Sequence, residues 1–408
     1  MSTTPNWWRN PAVIILGGCL FAMIGFGIRS SFGLFLDPMT LAKGWGRETF
    51  ALAMAIQNLL WGIGVPLAGM IADRRGSALV LIFGAAAYCA GIYGMAQAES
   101  SLVLHLTGGL LAGIGVAFTG FAIALSAIAK VVGPHKRSLA LGLGTAAGSL
   151  GQVVFSPLAQ SFITLYGWQT ALLLLAGFTL LIIPLAGLIP PTQGVAGEAE
   201  SHQTLAEALR EAASHSGYVL LTLGFFVCGF HVAFISVHFP SYIKDIGLAP
   251  QVGAVSLALI GLFNIAGSLV SGWIGQHRSK KLSLSWIYLL RAIAITVLLL
   301  APKSAWSIYL FSIAMGVLWL STVPLTTGIV GQVFGLRYLA TLFGIVFFSH
   351  QLGSFLGVWL GGYLYDATGS YDSVWWAGVV LGLLAAVIHL PINERPLARL
   401  TRPGVQAA

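Results

Sequence analysis

Twelve apolar stretches of roughly 20 residues each run almost end to end through the chain. About 20 apolar residues in helical form cross a bilayer. A run of that length must satisfy its backbone hydrogen bonds internally, so helices are expected rather than strands. The stretches fall at 12–36, 49–72, 78–97, 102–129, 138–163, 169–190, 218–242, 251–275, 283–301, 304–330, 339–364 and 373–391; they are numbered here as spans one to twelve. Only 8% of residues are charged, against about 25% in a soluble domain. The expected fold is therefore an all-α membrane protein. The first run is too long for a signal peptide and lacks a small-residue cleavage site, so it is expected to be a retained span. Cys19, Cys89 and Cys228 are scattered within spans and form neither a metal motif nor a disulfide framework.

Most connections are short. The exception is residues 191–217, a polar stretch with a short surface helix expected over 204–213. It divides the chain into a six-span bundle over 1–190, a linker, and a second six-span bundle over 218–408. Counting Lys and Arg fixes an orientation. With the N-terminus inside, 14 of the 20 lie on the cytoplasmic side and 4 (Lys43, Arg47, Lys244 and Lys303) on the outer side. That bias predicts both termini and the linker in the cytoplasm. The net charge of +8 is thus a topology signal, and no nucleic-acid partner is expected.

The two halves echo each other. Gly69-Met-Ile-Ala-Asp73-Arg74-Arg75-Gly76 follows span two, and Gly272-Trp-Ile-Gly-Gln276-His277-Arg278 follows span eight. Arg137-Ser-Leu-Ala opens span five, and Arg337-Tyr-Leu-Ala opens span eleven. Two parallel six-helix pseudo-repeats around a central cavity are the architecture of a rocking transporter.

Charge inside a span is costly and normally faces water or a partner. Arg29 interrupts span one, in Gly25-Phe-Gly-Ile-Arg29-Ser-Ser-Phe. It is expected to look into the cavity and bind an anion; the alternative is a side chain snorkelling to the outer surface. Arg291 stands near the middle of span nine. It reads either as a second anion contact or as a structural Arg bonding backbone between helices. No carboxylate lies mid-span, so His231 and His238 in span seven and His350 in span eleven are the candidates for proton coupling. Each reads equally as a neutral His bonded to a neighbour. Thr119, Gln152, Asn264 and Gln351, with Gln57, Asn58, Thr322 and Thr326, mark spans two, four, five, eight, ten and eleven as the polar ones. They suggest a sparsely polar cavity for a small anion with an apolar body, although each alone also reads as packing glue.

The Gly69–Gly76 segment matches the G-x-x-x-D-R-x-G signature of the major facilitator superfamily, and the chain resembles that family throughout. Its first half is similar to the monocarboxylate porters and the oxalate/formate exchangers. The carrying residues are Arg29-Ser30 before Phe35, Arg137-x-Leu139-Ala140-x-Gly142 with Ala147-Gly148, and Tyr166-Gly167-Trp168. The aromatic-acidic motif those porters carry before span one is absent, and Asn264 and Ser268 stand where they usually place an acid and an Arg. The resemblance implies that Arg29 engages a substrate carboxylate. It also implies that Asp73, Arg74 and Arg75, with Arg137, work a gate rather than bind substrate.

No catalytic motif, cofactor loop, metal motif or ATP-binding module is present, so an enzyme is not expected and no cofactor is called for. The expectation is a secondary transporter of small carboxylates working by alternating access, with proton symport. Anion exchange of the oxalate/formate type and efflux of larger amphiphiles are the alternatives. A monomer is expected, as the superfamily implies, and the short loops and compact tail point to a bacterial inner membrane.

Overall fold

A computed structural model describes residues 11–120, 134–188, 203–335 and 337–401, with side chains except those of Pro11, Asp73, 134–145 and Thr401. Among the described residues the secondary structure is helical. Eleven helical stretches are long and apolar enough to cross a membrane. One of them, Ala146–Ala186, is 41 residues long and holds two spans. They meet at Gly167, whose φ of 79° and ψ of 163° are not helical. A side chain would be strained there, so the glycine in Tyr166-Gly167-Trp168 lets span five turn into span six. Among the described residues the spans therefore number twelve, as the hydropathy predicts.

Three spans differ from simple rods. Span one runs as Pro11–Ser30, a 3-10 turn Phe32–Phe35 and a helix Leu36–Lys43. Ser30 and Ser31 turn their hydroxyls back onto the carbonyls of Phe26, Gly27 and Ile28, which competes with the regular ladder. Span four carries a π-helical turn at His105–Leu111. Span ten is broken into Ala305–Leu318 and Thr322–Phe334. Pro324 supplies the reason: its ring clashes with the carbonyl four residues back, that of Leu320.

Small residues set the packing. Along span eleven, a Cβ on Gly357 would lie 2.6 Å from the carbonyl oxygen of Phe230 in span seven. Gly27 and Gly151 bring spans one and five equally close, with Gly27's missing Cβ 2.6 Å from the Gly151 oxygen. Such seams allow dispersion contact and backbone approach that any larger residue would prevent. One apolar core is built mainly from spans one to six. Two more, around Phe225 and Phe334 and around Phe239 and Trp375, lie within spans seven to twelve. The polar connection folds as the helix Leu205–Ser214, closed by a Thr204–Glu207 capping box.

Candidate functional site

Arg29 lies at the end of the first helical piece of span one, one turn before the 3-10 break. Its guanidinium turns toward span two. Nη2 donates to Oδ1 of Asn58, and the group lies over the Trp61 ring, 4.3 Å from its centroid. Asn58 is itself held by donating to the Met54 carbonyl at 2.8 Å. Nε of Arg29 is buried without an acceptor, and no carboxylate among the described residues pairs with the group. Trp61 meets Phe347 of span eleven edge to face, with centroids 5.6 Å apart. Gln351, one turn on, packs against Gly62. Its Nε2 is also buried without an acceptor, while its Oε1 accepts from Ser354 at 3.2 Å. Two unused donors thus flank one aromatic contact between span two and span eleven.

His350 lies behind this contact. Its ring stacks with Phe347 at 5.9 Å, packs on Phe225 at 4.9 Å, and Nδ1 meets Gln351 Oε1 at 3.1 Å. Elsewhere in the second bundle, the Cys228 sulfur lies 3.2 Å from the Thr322 hydroxyl at the span-ten break.

Arg291 belongs to that break. It is fully buried. Nε and Nη2 donate to the Leu318 carbonyl at 3.2 and 2.6 Å, and Nη2 also donates to Trp319. A broken helix leaves carbonyls without partners and a negative dipole end, and the guanidinium meets both needs. Asn264 serves the same break from span eight by accepting from Leu320 N at 3.0 Å. Its Nδ2 donates to Ser149 of span five at 2.9 Å, and Gln152 of span five donates to the Leu257 carbonyl at 2.8 Å. Thr119 spends its hydroxyl on Gly115 of its own helix.

The other histidines lie elsewhere. His231 meets the Gly378 carbonyl at 2.7 Å, between spans seven and twelve. His238 uses both nitrogens, Nε2 on the Val358 carbonyl at 2.8 Å and Nδ1 on the Tyr371 hydroxyl at 3.1 Å. Arg74 and Arg75 are exposed at the end of span two; the side chains of Asp73 and Arg137 lie outside the described residues.

A second constellation, which the sequence does not single out, closes the end of the molecule that carries Arg47 and Asp245. Arg47 grips Asp245 of span seven with two nitrogens at 2.6 and 2.7 Å. It pairs with Asp37 at 3.0 Å, donates to the Tyr371 hydroxyl at 3.0 Å and stacks on Tyr365 at 3.8 Å. Lys244 lies 3.6 Å from Asp37. Asp366 of span eleven accepts from the backbone N–H groups of Arg47 and Glu48 at 2.9 and 2.8 Å, capping span two from across the molecule. Burial pushes the Tyr371 hydroxyl above its ordinary range, opposed by the Arg47 charge, so the phenol keeps its proton. Among the described residues, the ion pairs joining spans one and two to span seven all lie at this end. They latch it shut.

Twelve apolar helices with an intramembrane cation and a latched end define a membrane transporter rather than an enzyme. The profile of the Major Facilitator Superfamily matches residues 15–357, and the chain belongs to that family. It is 26% identical to the uncharacterized MFS-type transporter YcxA of Bacillus subtilis, over 99% of this chain and all of that protein. It is 23% identical to monocarboxylate transporter 13 of Rattus norvegicus, covering 88% of this chain and 84% of the relative. It is 26% identical to human monocarboxylate transporter 11, covering 88% and 78%. Among solved structures, a bacterial homolog of the lysosomal transporter Spinster superposes with a TM-score of 0.79 at 15% identity, covering 95% of this chain and 97% of that one. The D-xylose–proton symporter gives 0.73 at 16% identity, covering 96% and 100%. These likenesses share the fold.

Proposed function

We propose that the chain is a secondary transporter of small monocarboxylates, working by alternating access with proton symport. The observation that carries this reading is the unpaired state of Arg29. A guanidinium inside a span, without a carboxylate partner among the described residues and with a donor unused, is a receptor for an anion. Gln351 offers a second unused donor from span eleven, and Trp61 and Phe347 offer an apolar wall for the body of the acid. Arg291 is committed to the span-ten carbonyls, so among the described residues Arg29 is the mid-span cation left for an anion, which favours one carboxylate over two. The monocarboxylate transporters among the relatives support the same substrate class.

The two bundles, 1–190 and 218–408, rock about this site in our reading. Asn264 and Gln152 act as contacts between spans five and eight rather than as ligands, and Thr119 as packing beside Gly25. Asp73, Arg74, Arg75 and Arg137 work the opposite gate. The Lys and Arg bias puts the latched end outside and both termini in the cytoplasm of an inner membrane. The carrier acts as a monomer.

Uptake of labelled lactate, pyruvate and branched acids into proteoliposomes tests the reading. Saturable uptake, driven by an inward proton gradient and lost in Arg29→Gln, is the expected result. Uptake that needs only an internal counter-anion would make the protein an exchanger, and uptake that survives Arg29→Gln would refute the role of Arg29.

A further inference from the structure

The latch and a buried imidazole share one phenol. His238 is fully buried in span seven. Its Nε2 faces the Val358 carbonyl at 2.8 Å, which only accepts, so Nε2 carries the hydrogen. Nδ1 of the neutral ring is then an acceptor. The Tyr371 O–H donates to it at 3.1 Å, and the Tyr371 oxygen accepts from Arg47 Nη1 at 3.0 Å. The hydrogen bonds therefore run in one direction, from Arg47 through Tyr371 to His238.

We propose that His238 is a proton-binding site that works the latch: the neutral ring holds this end shut, and a proton on Nδ1 releases it. A protonated Nδ1 becomes a donor. The Tyr371 oxygen would then face two cationic donors, Arg47 and His238, and its own hydrogen would have to turn away. The groups around it offer little relief. Phe234 packs on His238 and Trp375 packs on Phe234, and neither side chain offers an acceptor for the added proton. Gly361 and Val358 of span eleven are closely packed against the imidazole. The titratable and charged groups facing this cluster are Tyr371 before span twelve, Tyr365 and Asp366 of span eleven, Arg47 of span two, Asp37 at the end of span one, and Lys244 and Asp245 at the end of span seven. All three carboxylates are already engaged with Arg47 or its backbone.

Room for the change is present. A cavity of about 410 Å³ lies beside the phenol, lined by Tyr242, Asp245, Tyr365, Tyr371, Asp372 and Trp376 among others. Tyr371 can swing into it, taking from Arg47 the contact that ties span two to span twelve. The imidazole itself is sealed while the latch is closed, so the proton is a ligand of the open state and shifts the population toward it. Acid on this side would thus hold the carrier open for an incoming anion. The inference rests on the transporter reading only in taking this end as a gate.

The test follows gate opening without substrate. Spin labels are placed at Leu41→Cys and Ala249→Cys, exposed positions on the two sides of the latch, in full-length protein in lipid nanodiscs. Cys19 and Cys89 are replaced by Ala, and buried Cys228 is left in place. Pulsed dipolar distances are recorded from about pH 8 to about pH 5, the range in which histidine changes charge. The ratio of long to short distances is expected to rise about tenfold on acidification in the parent protein and to stay flat in His238→Gln. In the nearly isosteric Tyr371→Phe, which guards against misfolding of the first variant, the rise is expected to fall to about twofold or less. Arg29→Gln is expected to keep the full rise, so a failed uptake assay and a failed gate are separable. No rise in the parent protein would overturn the proposal. A rise surviving in His238→Gln would overturn the assignment of the proton to His238, and a full rise in Tyr371→Phe would refute the relay.

Discussion

Replacing Arg291 with Leu separates a structural cation from a substrate ligand. The guanidinium donates to two carbonyls, those of Leu318 and Trp319, at a helix break sealed from solvent. Leucine keeps much of the volume but leaves both carbonyls without a donor. An unsatisfied buried polar group costs about 1–3 kcal/mol, so the pair costs about 2–6 kcal/mol. The buried Nη1 has no partner among the described residues, and removing it relieves a small part of this. At about 2–4 °C per kcal/mol, the melting temperature of the purified carrier should fall by about 4 °C or more. Arg291→Lys, which can reach one carbonyl, should fall between the two. Tryptophan fluorescence on heating in detergent measures the shift, and equilibrium binding of a carboxylate at low temperature measures the site. The expected pattern is a large loss of stability with substrate affinity changed by less than about threefold. Unchanged stability with a loss of affinity would refute the argument and make Arg291 a ligand.

Three further outcomes follow from the same contacts. Gly27→Ala places a methyl 2.6 Å from the Gly151 oxygen, so spans one and five must separate; a cost of about 1–3 kcal/mol should appear as a lower melting temperature. Arg47→Gln removes the pairs with Asp37 and Asp245, and labels at 41 and 249 should move apart at neutral pH; an unchanged distance would show that the latch is held by packing alone. Glu207 is held below its ordinary 4.5 chiefly by the Thr204 backbone N–H. A depressed carboxylate stabilises the linker helix above its unfolded value and stops doing so as pH falls through the folded one. Carbonyl chemical shifts of residues 205–214 should therefore report fraying only below about pH 4.5; Thr204→Ala, which loses the hydroxyl but keeps the backbone N–H, should weaken that pH dependence, and Glu207→Gln should remove it.

The sequence carries much of this fold and only part of the site. Hydropathy places all twelve spans, because in a bilayer one physical term dominates the choice of structure. The turn at Gly167 is legible from its sequence neighbours, whereas span ten reads as one stretch over 304–330 and its break shows only in the structure. Arg29 stands out because a charge in an apolar run is expensive wherever the chain goes. Its partners stand out less: Asn58 is legible only as one of the polar residues of span two, and Trp61 reads as an ordinary span-two residue until the helices are packed. The latch is less legible still. Arg47, Asp245 and Asp366 are nearly 200 and more than 300 positions apart and look like loop charges of the usual kind. Only the packing of spans two, seven and eleven brings them together. Arg291 carries a local signal of cost but no local signal of purpose, since its partners are carbonyls released by a break one helix away.

The central claim is that Arg29 receives a carboxylate beside Trp61. Titrating the purified carrier with a monocarboxylate while following the fluorescence of Trp61, isolated by difference against Trp61→Phe, tests it most directly. The account predicts a saturable change that disappears in Arg29→Gln and weakens in Gln351→Leu. A saturable signal of full size and affinity in Arg29→Gln would contradict it.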